Sequence, residues 1–427
     1  MWDLKSRRAF ISPIAALAAL LAFSAVSMAP GHTFPATDGA VSSAQGAEGP
    51  VDPVAGLMAE LASGGRPLAF TPLAQGYAPD LLRRLKIEDD SQVLVFSKTS
   101  LQQGFIGPAT PRAIYFNDTV ALGYIPGAPL IEMWAVGRDG ALRFYTVKNT
   151  QGVGALPKPE SDECKVCHAG LHPAAPGPVM MSVSTRPNGI VSHYDLFTDG
   201  RTPIAERWGG WYVTGRHGEM RHKGNVAADV PEAAAIQDGQ NLVSLAGKFD
   251  PGRYARPTSD IVALMTLEHE TGFLNIAGDI QARVAFHSDP ATIDKAVGEL
   301  ADYMLGIDGA VLTAPVEGTS GFAERFAAEG PKDGNGRGLR DLDLRGRLFR
   351  YPLSYMIYSP AFDALPPEAK DKLYRRLADV LTGRDRSARY QSLSPADRAA
   401  AFDIVAATKP GLPAFWRRDV SQADLAR

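Results

Sequence analysis

The stretches Leu130-Ile-Glu-Met-Trp-Ala-Val136, Arg138-Asp139-Gly140 and Ala141-Leu-Arg-Phe-Tyr-Thr-Val147 decide the fold class. Two runs rich in β-branched and aromatic residues flank an Asp-Gly pair. That combination predicts a hairpin with a tight turn, because glycine reaches positive φ without steric cost. The same texture extends upstream, where Gln92-Val-Leu-Val-Phe96 and Ala113-Ile-Tyr-Phe116 are short strand-like runs bounded by turn residues. Residues 150–178 are dense in Pro and Gly, and 179–185 and 211–213 return to strand character. From about residue 257 the period becomes helical. Thr258 or Ser259 is placed to cap a segment in which Ile261, Leu264, Met265, His269, Gly272, Ile276 and Ile280 share one face. Residues 291–305 and 366–381 repeat that period. Ser394-Pro395-Ala396-Asp397 is a further helix start, with proline in the first turn and an acid close behind. Strands first and helices second, with no internal repeat, predict an α+β fold: a β-rich N-terminal half and a helical C-terminal half.

Composition narrows the class. The chain has 427 residues, 45% apolar and 21% charged, which excludes wholesale disorder. A balance of 44 basic against 47 acidic residues gives no electrostatic footprint for nucleic acid. Two cysteines are too few for a disulfide-rich scaffold or a four-cysteine zinc site. Lys5, Arg7 and Arg8 precede an apolar run over 10–29 that closes on small residues, Ser27 and Ala29. Residues 1–29 therefore read as a signal peptide or, at about 20 residues, as an uncleaved anchor. Residues 30–52, rich in Gly, Ala, Ser and Pro, read as a flexible tether. The body divides into a β-rich region over 53–256 and an α-helical region over 257–427.

Both cysteines fall in Cys164-Lys165-Val166-Cys167-His168, the C-x-x-C-H pattern of covalent haem attachment. Two thiols three residues apart can each add to one haem vinyl group, and the next residue then sets its imidazole beneath the iron. A thioredoxin-like dithiol does not call for His at that place and is expected beside a βαβ unit. A two-Cys, two-His zinc site would find the adjacent His168 awkward as a third ligand.

On these five residues the chain resembles the c-type cytochromes. The resemblance implies thioether links at Cys164 and Cys167, His168 as proximal iron ligand, and one covalent haem c carried by the 53–256 region. The longer stretches resemble larger bacterial secreted monohaem proteins rather than the small soluble cytochromes c. Those carry the motif early, in a helix of a small domain, whereas here it lies mid-chain with Gly170, Pro173, Pro176 and Pro178 close behind. One motif also sets the chain apart from the two-haem cytochrome c peroxidases. Haem attachment implies export to the periplasm as an unfolded chain. Ser6-Arg7-Arg8-Ala9-Phe10, which matches a twin-arginine signal weakly, is therefore read as the start of an ordinary leader. The implied partner is a redox protein in the periplasm, and the membrane is touched only through an uncleaved anchor.

The residue opposite His168 separates a carrier from an enzyme. His217 and His222, in a Gly-flanked stretch beside Trp208 and Trp211, are the first distal candidates, Met180 or Met181 the next, and His269 the last. Against each stands a plainer role: a basic loop, strand packing, a hydrogen-bonded core histidine. The 217–222 spacing is not the H-E-x-x-H zinc motif. His193 is a candidate pocket residue, and His172 sits in a Pro-rich loop. Arg207 or Arg216 could pair with haem propionates. The predicted function is electron transfer. The alternatives are a haem-dependent oxidoreductase of the peroxidase or oxidase type, with His217, Arg216 and Glu219 as proton-handling groups, and a haem-based sensor. No dinucleotide fingerprint or P-loop appears, and the Gly-rich Asp333–Gly338 segment lacks the strand that either would need.

Overall fold

Alternating residues along the strands of the N-terminal half give a sheet with two apolar faces, and the structure covers both. The computed structural model describes residues 51–72, 75–152, 155–160, 164, 168, 177–228 and 239–416. The expected leader, the tether up to residue 50, Cys167 and His172 lie outside the described residues. Strands β1 (Val93–Val95), β2 (Arg112–Asn117), β3 (Val120–Tyr124), β4 (Leu130–Val136), β5 (Leu142–Lys148) and β6 (Lys158–Glu160) form an antiparallel meander. A separate ribbon pairs β7 (Met181–Thr185) with β8 (Val191–Phe197), and β9 (Trp211–Tyr212) returns to extend the main sheet beyond β1. The hairpin read at 130–147 is present, and its turn places Gly140 at φ +74°, where a side chain would be strained.

One face of the sheet, with Tyr115, Leu122, Met133 and Tyr145, packs on α1 (Pro53–Ala62) and α2 (Ala78–Arg84). Residues 51 and 52, which the sequence places at the end of the tether, bond the sheet and the first helix. The Val51 carbonyl accepts from the Arg138 N–H at 2.9 Å. Asp52 caps α1 through the Ala55 N–H and accepts the Tyr145 hydroxyl at 2.7 Å.

The opposite face, with Phe116, Ala121 and Val136, shares a core with α3 (Ile261–Ala285). Around α3 pack α4 (Pro290–Met304), α5 (Phe322–Ala328), α6 (Pro360–Asp363), α7 (Pro367–Leu381) and α8 (Pro395–Thr408). The fold is α+β, with the β-rich half first and the helical half second. The cap of α3 is Asp260, which accepts from the Val262 and Ala263 N–H groups. Ser259 is committed elsewhere: its hydroxyl donates to the Tyr212 carbonyl and accepts from the Leu94 N–H, joining β9 and β1 to the helix start. Two strands had no readable pattern. The central β3 is buried at every position and so does not alternate, and β8 exposes Ser192, His193 and Tyr194 in succession. No helix of the described residues is long and apolar enough to cross a membrane.

His269, on α3, bonds Ser354 Oγ at 2.6 Å and stacks on Tyr303 at 5.2 Å between ring centroids. Burial pushes its pKa down to about 3. An unfolded histidine, near 6.5, binds a proton that the folded one refuses, so this group costs stability as pH falls from about 6.5 towards 3. The stability gap between wild type and His269→Gln, read by urea unfolding, should narrow by about 1.4 kcal/mol per pH unit across that window. A gap that does not vary with pH would show that the folded histidine titrates normally.

Candidate functional site

The sheet is hollow at its centre. On the face turned to α3, β3 carries only Ala121 and Gly123, while Ile114 of β2 and Glu132 and Trp134 of β4 stand opposite them in register. The missing side-chain volume opens a cavity between the sheet and Leu267 and Thr271 of α3, with Val179, Met180 and Trp211 closing one side. The space inside it that a water-sized sphere can enter is about 120 Å³, less than the about 300–1,000 Å³ usual for small-molecule and cofactor sites. Cys164 and His168 line it.

The His168 ring is oriented rather than merely present. Its Nδ1 lies 2.9 Å from the Gly177 carbonyl. A carbonyl only accepts, so Nδ1 carries the proton and Nε2 keeps a lone pair. The Gly177 N–H returns a bond to the His168 carbonyl at 3.0 Å, and Phe144 lies against the ring at 4.6 Å between centroids. Burial holds the imidazole pKa below its ordinary value, with the hydrogen bond to the Gly177 carbonyl opposing and the Arg112 charge adding. A neutral, tautomerically fixed imidazole is the form that binds a metal.

The other expected ligands divide sharply. Met180 is buried and lines the same cavity. Met181, beside it, starts β7 and gives its carbonyl to the Trp211 Nε1–H. His217 and His222 do not line the cavity. His217 donates from Nδ1 to the Met220 carbonyl and accepts at Nε2 from the Asn241 N–H, so both ring nitrogens are used. His222 accepts at Nδ1 from the Gly224 N–H, which puts its proton on Nε2 and leaves no lone pair there for iron. The two rings meet edge to face at 4.9 Å, with Trp208 against His222, and burial drives the His222 pKa to about 3. His193 is exposed on β8.

Arg207 is equally committed: it donates to the Thr202 and Gly200 carbonyls and pairs with Glu268 at 2.7 Å, with both side chains almost wholly buried. Arg216 is exposed, and the Glu219 side chain stands almost fully in solvent. The guanidinium inside the cavity is Arg112, paired with Glu132 at 2.8 Å. It lies across Gly123, where a Cβ would overlap it, and its buried Nε has no hydrogen-bond partner among the described residues. Neither residue stood out in the sequence. The signal was there in β4, where Glu132 interrupts an otherwise apolar run on the face that Trp134 shares.

No protein family, curated protein or solved structure matches the chain.

Replacing Arg207 by Met would strand Glu268 in the core, so Arg207→Met should lose about 3–5 kcal/mol in urea unfolding. A loss below about 1 kcal/mol, the worth of an exposed pair, would mean that water reaches Glu268.

Proposed function

We propose that the chain is a periplasmic monohaem c-type cytochrome-like protein that mediates electron transfer through one covalent haem. Cys164 and Cys167 would form the thioether links, His168 the proximal bond, and Met180, which lines the same cavity, would be the candidate second ligand. The observation that carries this reading is the His168 ring. It lines one cavity with Cys164 of the C-x-x-C-H pattern, with Nδ1 already donated and Nε2 left as the coordinating atom. A haem bound there supplies a one-electron centre whose potential follows axial ligation, hydrogen bonding and burial.

The chain's own residues supply the rest. Ile114, Ala121, Phe144 and Leu267 give the cavity apolar walls. Arg112, with an unused N–H, is the group suited to a propionate, in place of Arg207 or Arg216. The periplasmic address and a redox partner there rest on the chemistry of thioether formation and on the leader-like N-terminus.

Arg112 and Glu132 favour a second reading, a haem-dependent oxidoreductase of the peroxidase or oxidase type. A guanidinium and a carboxylate in the cavity could hold or move a proton at a substrate oxygen.

Absorption spectra of protein made beside c-type maturation machinery separate the two. For the carrier, the wild type should be low-spin in both oxidation states and indifferent to cyanide and carbon monoxide. Met180→Ala should turn high-spin and bind both, while His217→Ala and His222→Ala keep the wild-type spectrum. A wild type that is already high-spin and responsive favours the oxidoreductase, with peroxide turnover assayed next. Protein that emerges without covalent haem removes both readings.

A further inference from the structure

The carbonyl that takes the His168 proton belongs to a segment with little support of its own. Gly177 is followed by Pro178, which has no N–H to tie the backbone down. The support comes from α3. Asn275 donates from Nδ2 to the Pro178 carbonyl at 2.9 Å. Its other amide atom, Oδ1, is buried, has no hydrogen-bond partner among the described residues, and sits where a Cβ on Gly177 would overlap it. The amide orientation is fixed by chemistry, since the reverse would set two oxygens against each other. Both ends of one side chain thus close on two consecutive backbone units, and the second of those units holds the His168 ring. The helix behind it is buried on all sides along its first half and gives a firm base.

We propose that Asn275 is a positioning residue for the proximal histidine: it clamps Gly177–Pro178 to α3 and so sets the carbonyl that holds the Nδ1 proton of His168. This rests on the haem reading. A fixed acceptor at Nδ1 makes Nε2 the stronger donor, which favours the oxidised metal. Loosening the clamp weakens that bond and moves the reduction potential upward.

The test compares the haem-loaded wild type with Asn275→Leu, which removes both amide contacts, and Asn275→Asp, which keeps the shape and loses the donor. Gln281→Leu, further along α3, is the control. A stain for covalent haem comes first, then the potential by redox titration and the ferric g-values by electron paramagnetic resonance. The expected result is covalent haem in all four proteins, an upward potential with altered g-values in both Asn275 variants, and wild-type values in the control. Wild-type potential and g-values in both variants would overturn the positioning role and leave the haem reading standing. A wild type without haem would overturn the haem reading instead. The haem-free protein then decides the positioning role through the ¹⁵N shifts of His168. Loss of the Nδ1–H tautomer preference in Asn275→Leu supports it, and an unchanged preference overturns it. Should Asn275→Leu fail to fold, Asn275→Asp decides alone by the same readouts.

Discussion

From Ile261 to Leu274, α3 turns no face to water, and the rest of the fold is arranged around that constraint. A helix of 25 residues is about 37 Å long, enough to run along the sheet and the helical layer together. Its apolar residues gain from burial on both sides, roughly 1.5–3 kcal/mol for each large side chain. Its polar residues would forfeit that gain if left unpaired. Each finds at least one partner, although the second oxygens of Glu268 and Glu270 have none among the described residues. Thr266 and Thr271 bond carbonyls of their own helix, Glu268 meets Arg207, His269 meets Ser354, and Glu270 meets the Tyr355 hydroxyl at 2.5 Å. Burial raises the Glu268 and Glu270 pKa values, with the Arg207 charge opposing it at Glu268, and lowers that of His269.

The site follows from the same constraint. A helix that cannot shift leaves a stationary wall opposite the sheet, and a central strand reduced to Ala121 and Gly123 leaves a gap against it. The cavity is therefore bounded by two regular elements rather than by loops. His168, which comes from the Pro- and Gly-rich stretch, meets both of those elements or the backbone tied to them. Phe144 of β5 lies against the His168 ring, and Asn275 of α3 holds the backbone that orients it.

How much of this could be read beforehand depended on whether one residue or many carried the signal. The hairpin over β4 and β5 and the helices α3, α4, α7 and α8 were legible because periodicity sums over seven or more residues. Strand β3 was not, since burial on both faces erases alternation, and the cap of α3 moved by a residue because the sheet had taken Ser259. At the site, Cys164 and His168 stood out in the sequence because the proposed haem attachment would fix identity and spacing together, and both line the cavity. The polar partners were not. Arg112 and Glu132 pair across two strands, and Asn275 acts on residues nearly one hundred positions away, so no local pattern announces either. His217 and His222 stood out as a local cluster of His, Gly and Trp that looks like a ligand loop, and the structure packs them together away from the cavity, with His222 Nε2 buried and without a hydrogen-bond partner among the described residues.

Histidine chemistry then narrows the choice further. Among the described residues, His217 has both nitrogens engaged, His222 carries its proton on the nitrogen that would coordinate, and His269 is bonded to Ser354 inside the helical layer. His193 and His287 are exposed. Only His168 combines a cavity position with a lone pair set free by a hydrogen bond on the other nitrogen. The thioether of Met180, which has no proton to lose and no carbonyl to satisfy, is then the described candidate that can face it without unpicking a buried hydrogen bond. Under the proposed haem reading, an imidazole and a thioether would set the potential of the iron by ligation and burial, which is the chemistry of a carrier rather than of an enzyme with an open iron face.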